Sequence, residues 1–170
     1  ATQAMRQPGS TIKPFVYASA IDQGMTPATM IVDGTFCVYQ GAALGQKCFR
    51  NFGGGGGGIH TLRWGLEQSR NLMTVHIADD TGMDNVIQTI DRLGIGSYEP
   101  YYSFALGAGD TTVARMVNGY AALANWGRQN AGSVIDYVQD RDGKVIFRTD
   151  TRDCTGCNLE EWDGQPMPRF

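Results

Sequence analysis

The chain has 170 residues, 42% of them hydrophobic and 18% charged, with a formal net charge of -3, enough for one core but short for two domains. The acidic balance excludes the basic footprint that nucleic acid requires. No apolar run approaches the roughly 20 residues of a membrane span, and no signal peptide opens the chain.

In chain order, Ile12, Phe15, Val16 and residues 19 to 21 recur at helical spacing, with Pro14 tolerated in the first turn and Gly24 able to end the helix. Cys37 and Cys48 bracket a segment able to turn back on itself, and residues 53 to 58 are six consecutive glycines. No Gly-Lys-Ser or Gly-Lys-Thr follows them and no dinucleotide fingerprint surrounds them, so a flexible loop is expected rather than a phosphate cradle. Residues 61 to 69 and 72 to 79 read as two short helices, with Arg70 and Asn71 at the break. Met83, Val86, Ile87, Ile90 and Leu93 form the apolar stripe of a further helix closed by Gly94. Asp110 is expected to cap a helix whose stripe of Val113, Met116, Val117, Tyr120 and Leu123 should be core. Residues 134 to 138 and 144 to 148 read as strands joined by the turn Asp140-Arg141-Asp142-Gly143, and the tail from Thr149 as irregular. The expectation is a mostly helical body followed by a hairpin.

Chemistry concentrates at Ser10-Thr11-Ile12-Lys13 and at Ser69-Arg70-Asn71. A serine hydroxyl needs a base, and a lysine three residues on along a helix lies on the same face. A second serine can then relay the proton. Ser10 at a helix N-terminus also meets free N–H groups that favour developing negative charge, its own N–H included. His60 and His76 are too few and too isolated for a metal site, and nothing brings either to Ser10 as part of a triad. Neither a cofactor motif nor a metal-binding histidine motif is present. The cysteines Cys37, Cys48, Cys154 and Cys157 leave two disulfides, a four-thiolate zinc site, a redox pair or free thiols open.

The run Arg6-Gln7-Pro8-Gly9-Ser10-Thr11-Ile12-Lys13-Pro14-Phe15 resembles the active-site segment of the penicillin-binding proteins, with Gly-Ser-x-x-Lys-Pro as its signature. Glu67-Gln68-Ser69-Arg70-Asn71-Leu72 resembles their second motif, Ser-x-Asn. Similarity continues through Asp22-Gln23-Gly24-Met25-Thr26-Pro27, the run from Ala105 to Thr112, and Asn118-Gly119-Tyr120-Ala121. It is strongest to the transpeptidase part of the class A, 1A-type members. The third motif, Lys-Thr-Gly or Lys-Ser-Gly, occurs nowhere in the 170 residues. The chain is therefore read as an internal, partial transpeptidase domain without the glycosyltransferase domain.

The resemblance implies an α/β fold of the serine transpeptidase and β-lactamase type, with residues 1 to 170 holding mainly the helical subdomain plus a β-hairpin. It implies Ser10 as nucleophile, Lys13 as a base lowered below its ordinary value of about 10.4 by burial and a neighbouring cation, Ser69 as proton relay, and Asn71 as a substrate-amide contact. In the family the lysine of the third motif is such a cation. The implied partners are stem peptides ending in D-Ala-D-Ala and β-lactam antibiotics. The parent protein is expected to be anchored at the periplasmic face of the bacterial inner membrane, with further segments or another chain completing the core. That oxidising compartment favours disulfides, and a Cys37–Cys48 bridge would contribute about 2 to 3 kcal/mol. The alternatives are a D,D-carboxypeptidase of the same fold or a catalytically incomplete piece acting as a binding or zinc-clamped module. A class A β-lactamase fits less well, because Arg70 stands where its second motif has Asp.

Overall fold

The computed structural model describes residues 1–39, 42, 43, 45–129 and 132–149, and the chain divides into two units, Ala1–Asn130 and Ala131–Phe170. In the first, a short 3-10 turn, Gly9–Ile12, runs into helix α1, Lys13–Asp22. Pro14 lies in the first turn, where a missing N–H costs nothing. This helix is buried almost all round: Ile12, Phe15, Val16, Tyr17 and Ala20 are inaccessible, and so is Lys13 at 1% exposure. A helix apolar on every side belongs inside a domain. Of the expected stripe only Ile21 faces out.

Helices α2 (Leu62–Glu67), α3 (Asn71–Thr81) and α4 (Met83–Arg92) enclose α1. Their buried residues Leu62, Met73, Ile77, Ala78, Met83, Val86 and Ile90 share one core with it. The approach of α2 depends on Gly65, where a Cβ would come within 2.7 Å of Met73 Cε and 2.9 Å of Tyr17 Oη. Leu93 and Gly94 close α4 as expected, with Gly94 at φ 70°.

Two small sheets interrupt the helical body that the periodicity predicts. Strand β1 (Met30–Val32) pairs antiparallel with β4 (Ile59–Thr61), and β2 (Cys37–Tyr39) with β3 (Gln46–Cys48). Three-residue strands are too short for an alternation signal. The second pair places Cys37 opposite Cys48, and the two form a disulfide. These two sulfurs are therefore not thiolate ligands. Cys154 and Cys157 lie outside the described residues, as does the tail beyond Thr149.

Helix α5 (Tyr102–Ala105) precedes α6 (Val113–Ala124), and two expectations for α6 fail. Its cap is Thr112, whose hydroxyl accepts from the Arg115 N–H, not Asp110. The stripe of Val113, Val117, Tyr120 and Leu123 is exposed, while Gly119 and Ala122 face inward. A side chain at Gly119 would crowd Ile95 and Phe15, so close approach by small residues displaced burial of large ones. In the second unit, β5 (Tyr137–Gln139) and β6 (Val145–Arg148) pair antiparallel around the predicted turn, where Asp140 Oδ1 accepts from the N–H groups of Asp142 and Lys144.

Candidate active site

The turn that carries Ser10 is set by glycine. Gly9 has φ 55°, and its N–H donates to the Gly107 carbonyl at 3.3 Å. Any Cβ at Gly107 would collide with the Gly9 backbone. Arg6 and Thr111 exchange both backbone hydrogen bonds, and Tyr120 Oη donates to the Thr11 carbonyl at 2.9 Å. The loop before α6 and Tyr120 on α6 therefore fix the segment entering the Ser10 turn. Ser10 itself is exposed, and its hydroxyl joins no hydrogen bond among the described residues.

Lys13, one turn further on, points to the second motif. Its Nζ donates to the Ser69 carbonyl at 2.6 Å, to Asn71 Oδ1 at 2.7 Å and to Ser69 Oγ at 3.1 Å. The three protons of an ammonium are thereby satisfied. Burial, and after it the positive charge of Arg70, pull Lys13 down from its ordinary value to about 8. The cation beside this lysine is thus supplied from within the second motif.

Local structure explains why Ser69 presents two oxygens to one amine. Helix α2 ends in a Schellman arrangement: the Ser69 N–H donates to the Leu66 carbonyl at 3.0 Å and the Arg70 N–H to the Gly65 carbonyl at 2.9 Å. Such an ending needs a left-handed residue, usually glycine. Ser69 fills it at φ 51°, a conformation that costs a side chain on the order of 1 kcal/mol. Asn71 then opens α3 with its amide oriented by both neighbours, since Nδ2 donates to the Arg50 carbonyl at 3.0 Å while Oδ1 accepts from Lys13. One N–H and one lone pair of that amide remain for a ligand.

Behind this row stands a polar cluster that the sequence did not announce. Arg70 places both Nε (2.8 Å) and a terminal nitrogen (2.6 Å) on Asp33 Oδ2. Asn51 Nδ2 donates to Asp33 Oδ1 and to the Gly55 carbonyl, both at 2.9 Å, while its Oδ1 accepts from the Leu72 N–H at 3.0 Å. Burial pushes the Asp33 carboxyl up, yet the hydrogen bonds from Arg70 and Asn51 outweigh it and hold the group below the usual carboxylate range. The six glycines are tied into the cluster through the Gly55 carbonyl and through the Asp33 N–H, which donates to Gly58. A Cβ at Gly56 would lie 2.9 Å from the Asp33 carbonyl oxygen, so the chain passes closely there. Arg70 was visible only as the middle of a motif, and Asp33 and Asn51 carry no local signal.

The histidines stand apart from the lysine. His60 stacks on Trp64 at 3.9 Å, and His76 Nε2 donates to the Gly34 carbonyl at 3.2 Å. Among the described residues no helix is long and apolar enough to cross a membrane.

Residues 1–167 match the family model of the penicillin-binding protein transpeptidase domain. The chain belongs to that family. It is 41% identical over 164 residues to penicillin-binding protein 1A of Rickettsia prowazekii, covering 95% of this chain and 21% of the relative. It is 40% identical over 148 residues to the 1A protein of Neisseria flavescens, covering 85% and 18%. The crystal structure of penicillin-binding protein 1A from Haemophilus influenzae superposes with a TM-score of 0.82 at 31% identity, over 88% of this chain and 23% of that one. An imipenem acyl-enzyme complex of penicillin-binding protein A from Mycobacterium tuberculosis shares the fold at a TM-score of 0.74 and 19% identity. These curated relatives are of the 1A type, and the chain spans about a fifth of their length. The fold is the penicillin-binding one, and this part contributes helices and small hairpins.

Proposed function

We propose that the chain carries the nucleophile and the proton-transfer groups of a peptidoglycan D,D-transpeptidase. The observation that carries this reading is the buried Lys13 amine, one helical turn from an unencumbered Ser10 hydroxyl and bonded to Ser69 and Asn71. Ser10 Oγ forms a bond to the penultimate D-alanyl carbonyl, and the bond to the terminal D-alanine breaks. An amine of a second stem peptide then attacks the ester and releases Ser10 Oγ.

Proton movement follows from the hydrogen bonds. On losing a proton, Lys13 keeps two N–H groups and gains a lone pair. The Ser69 carbonyl and Asn71 Oδ1 accept but cannot donate, so they retain the N–H groups and the lone pair turns to a hydroxyl. Ser10 supplies its proton there, and Ser69 Oγ, the longest of the three contacts, passes one on to the leaving amine. Asn71 uses its free N–H for the substrate backbone or a β-lactam side chain. The Ser10 N–H at the head of the turn is one donor to the developing oxyanion.

The same reading makes β-lactams acylating ligands and puts the parent protein at the periplasmic face of a bacterial inner membrane, anchored there. It also makes the exposed Val113, Val117 and Tyr120 face of α6 the place where further transpeptidase segments complete the core. Intact-mass spectrometry after incubation with a penicillin tests the reading. A single antibiotic adduct on the wild type, lost in Ser10→Ala, is expected; a folded wild type that gains no mass would overturn it.

A further inference from the structure

A buried ion pair is weak evidence for stability, because desolvating two charges cancels most of their attraction. The pair of Asp33 and Arg70 is nonetheless built with care. The carboxylate is 1% exposed and accepts two hydrogen bonds, from Asn51 and from Arg70 Nε, with a second Arg70 nitrogen paired to it at 2.6 Å, while the guanidinium is less than a quarter exposed. Asp33 is immobilised by its own backbone, with its N–H bonded to Gly58 at the far end of the glycine run. Arg70 directly follows the left-handed Ser69 and precedes Asn71, the two residues whose oxygens hold Lys13.

The geometry points to Asp33 as a positioning residue: its buried carboxylate fixes the Arg70 guanidinium, and with it the carbonyl of Ser69 and the amide of Asn71, against the amine of Lys13. Asp33 touches no reacting atom and acts through Arg70, while its other carboxylate oxygen is held by Asn51. The guanidinium held there is the positive charge that Lys13 feels, and its pull is in the same direction as that of burial. Of the other titratable groups nearby, Tyr17 on the same helix as Lys13 senses the Asp33 charge, and Asp33 in turn senses His60.

Three variants of the full chain test this. In the double variant Asp33→Asn/Arg70→Gln the pair is replaced by neutral amides of similar shape, leaving no unpaired charge and protecting the fold. The single variant Asp33→Asn frees Arg70 to swing into solvent. In both, the titration midpoint of Lys13, followed by NMR of its side-chain ε-carbon, is expected to move up toward that of an ordinary lysine, and Asp33→Glu should restore part of the shift. An unchanged midpoint in the double variant, or a midpoint that falls in Asp33→Asn, would overturn the proposal. The second arm rests on the transpeptidase reading: penicillin acylation at pH 7 should slow on the order of tenfold to a hundredfold, with its rising pH limb displaced in step with Lys13. A wild type that is never acylated defeats the transpeptidase reading while the NMR titration still decides the role of Asp33.

Discussion

The two serines stand in opposite surroundings. Ser10 is exposed, sits in a turn braced by backbone contacts and by the Tyr120 hydroxyl, and has no hydrogen-bond partner for its hydroxyl among the described residues. Ser69 occupies a left-handed position at a helix end, and both its oxygens are bonded to a buried amine. A group that must attack needs a free hydroxyl and an open approach, whereas one that orients a base needs a fixed direction even at the cost of strain. The polar cluster of Asp33, Asn51 and Arg70 is therefore behind Ser69 and not behind Ser10.

The largest effect expected separates the two directly. Ser10→Ala should abolish covalent trapping by penicillin while leaving thermal stability within about 0.5 kcal/mol, since an exposed, unbonded hydroxyl contributes little. A melting temperature that falls with the adduct would break the contrast. Lys13 links the two serines and gives the next effect. Acylation should rise with pH and level off above about 8, where the amine becomes neutral.

Its stability linkage has a definite sign. The folded value of about 8 lies below the ordinary 10.5, so between these values the unfolded chain binds more protons and stability rises with pH. Lys13→Met should lose that rise, as read by denaturant unfolding across the window, and a wild type flat over the same range would contradict the burial argument.

The hairpin disulfide provides the third test. It closes the loop between Cys37 and Cys48, and the residues just after it, Arg50 and Asn51, hold Asn71, Leu72 and Asp33. Reduction should cost about 2 to 3 kcal/mol and slow acylation, with the loss traced to the second motif and not to the Ser10 turn. The smallest effect isolates the strain at Ser69: Ser69→Gly should be more stable than Ser69→Ala by roughly 1 kcal/mol, though both lose the hydroxyl.

Much of this was legible because it is local. The helix carrying Lys13, the break at the second motif, the α4 stripe closed by Gly94 and the turn before β6 all follow from spacing and from residues with special backbone preferences. The two small sheets were not, because three-residue strands carry no periodicity. The stripe on α6 misled, because periodicity identifies an apolar face without saying whether a partner covers it, and here Gly119 and Ala122 won the inner side by allowing close approach. The six glycines resembled a featureless loop, yet their carbonyls complete the Asp33 cluster.

Sequence by itself determined the motif residues Ser10, Lys13, Ser69 and Asn71, the family they belong to, and the helical framework that spaces them, since each depends on residue type and short separations. Only the tertiary structure decided which cation stands beside Lys13 and what keeps it there. Asp33, Asn51 and Arg70 lie up to 37 positions apart, and their meeting depends on how hairpins and helices pack, a condition no local pattern encodes.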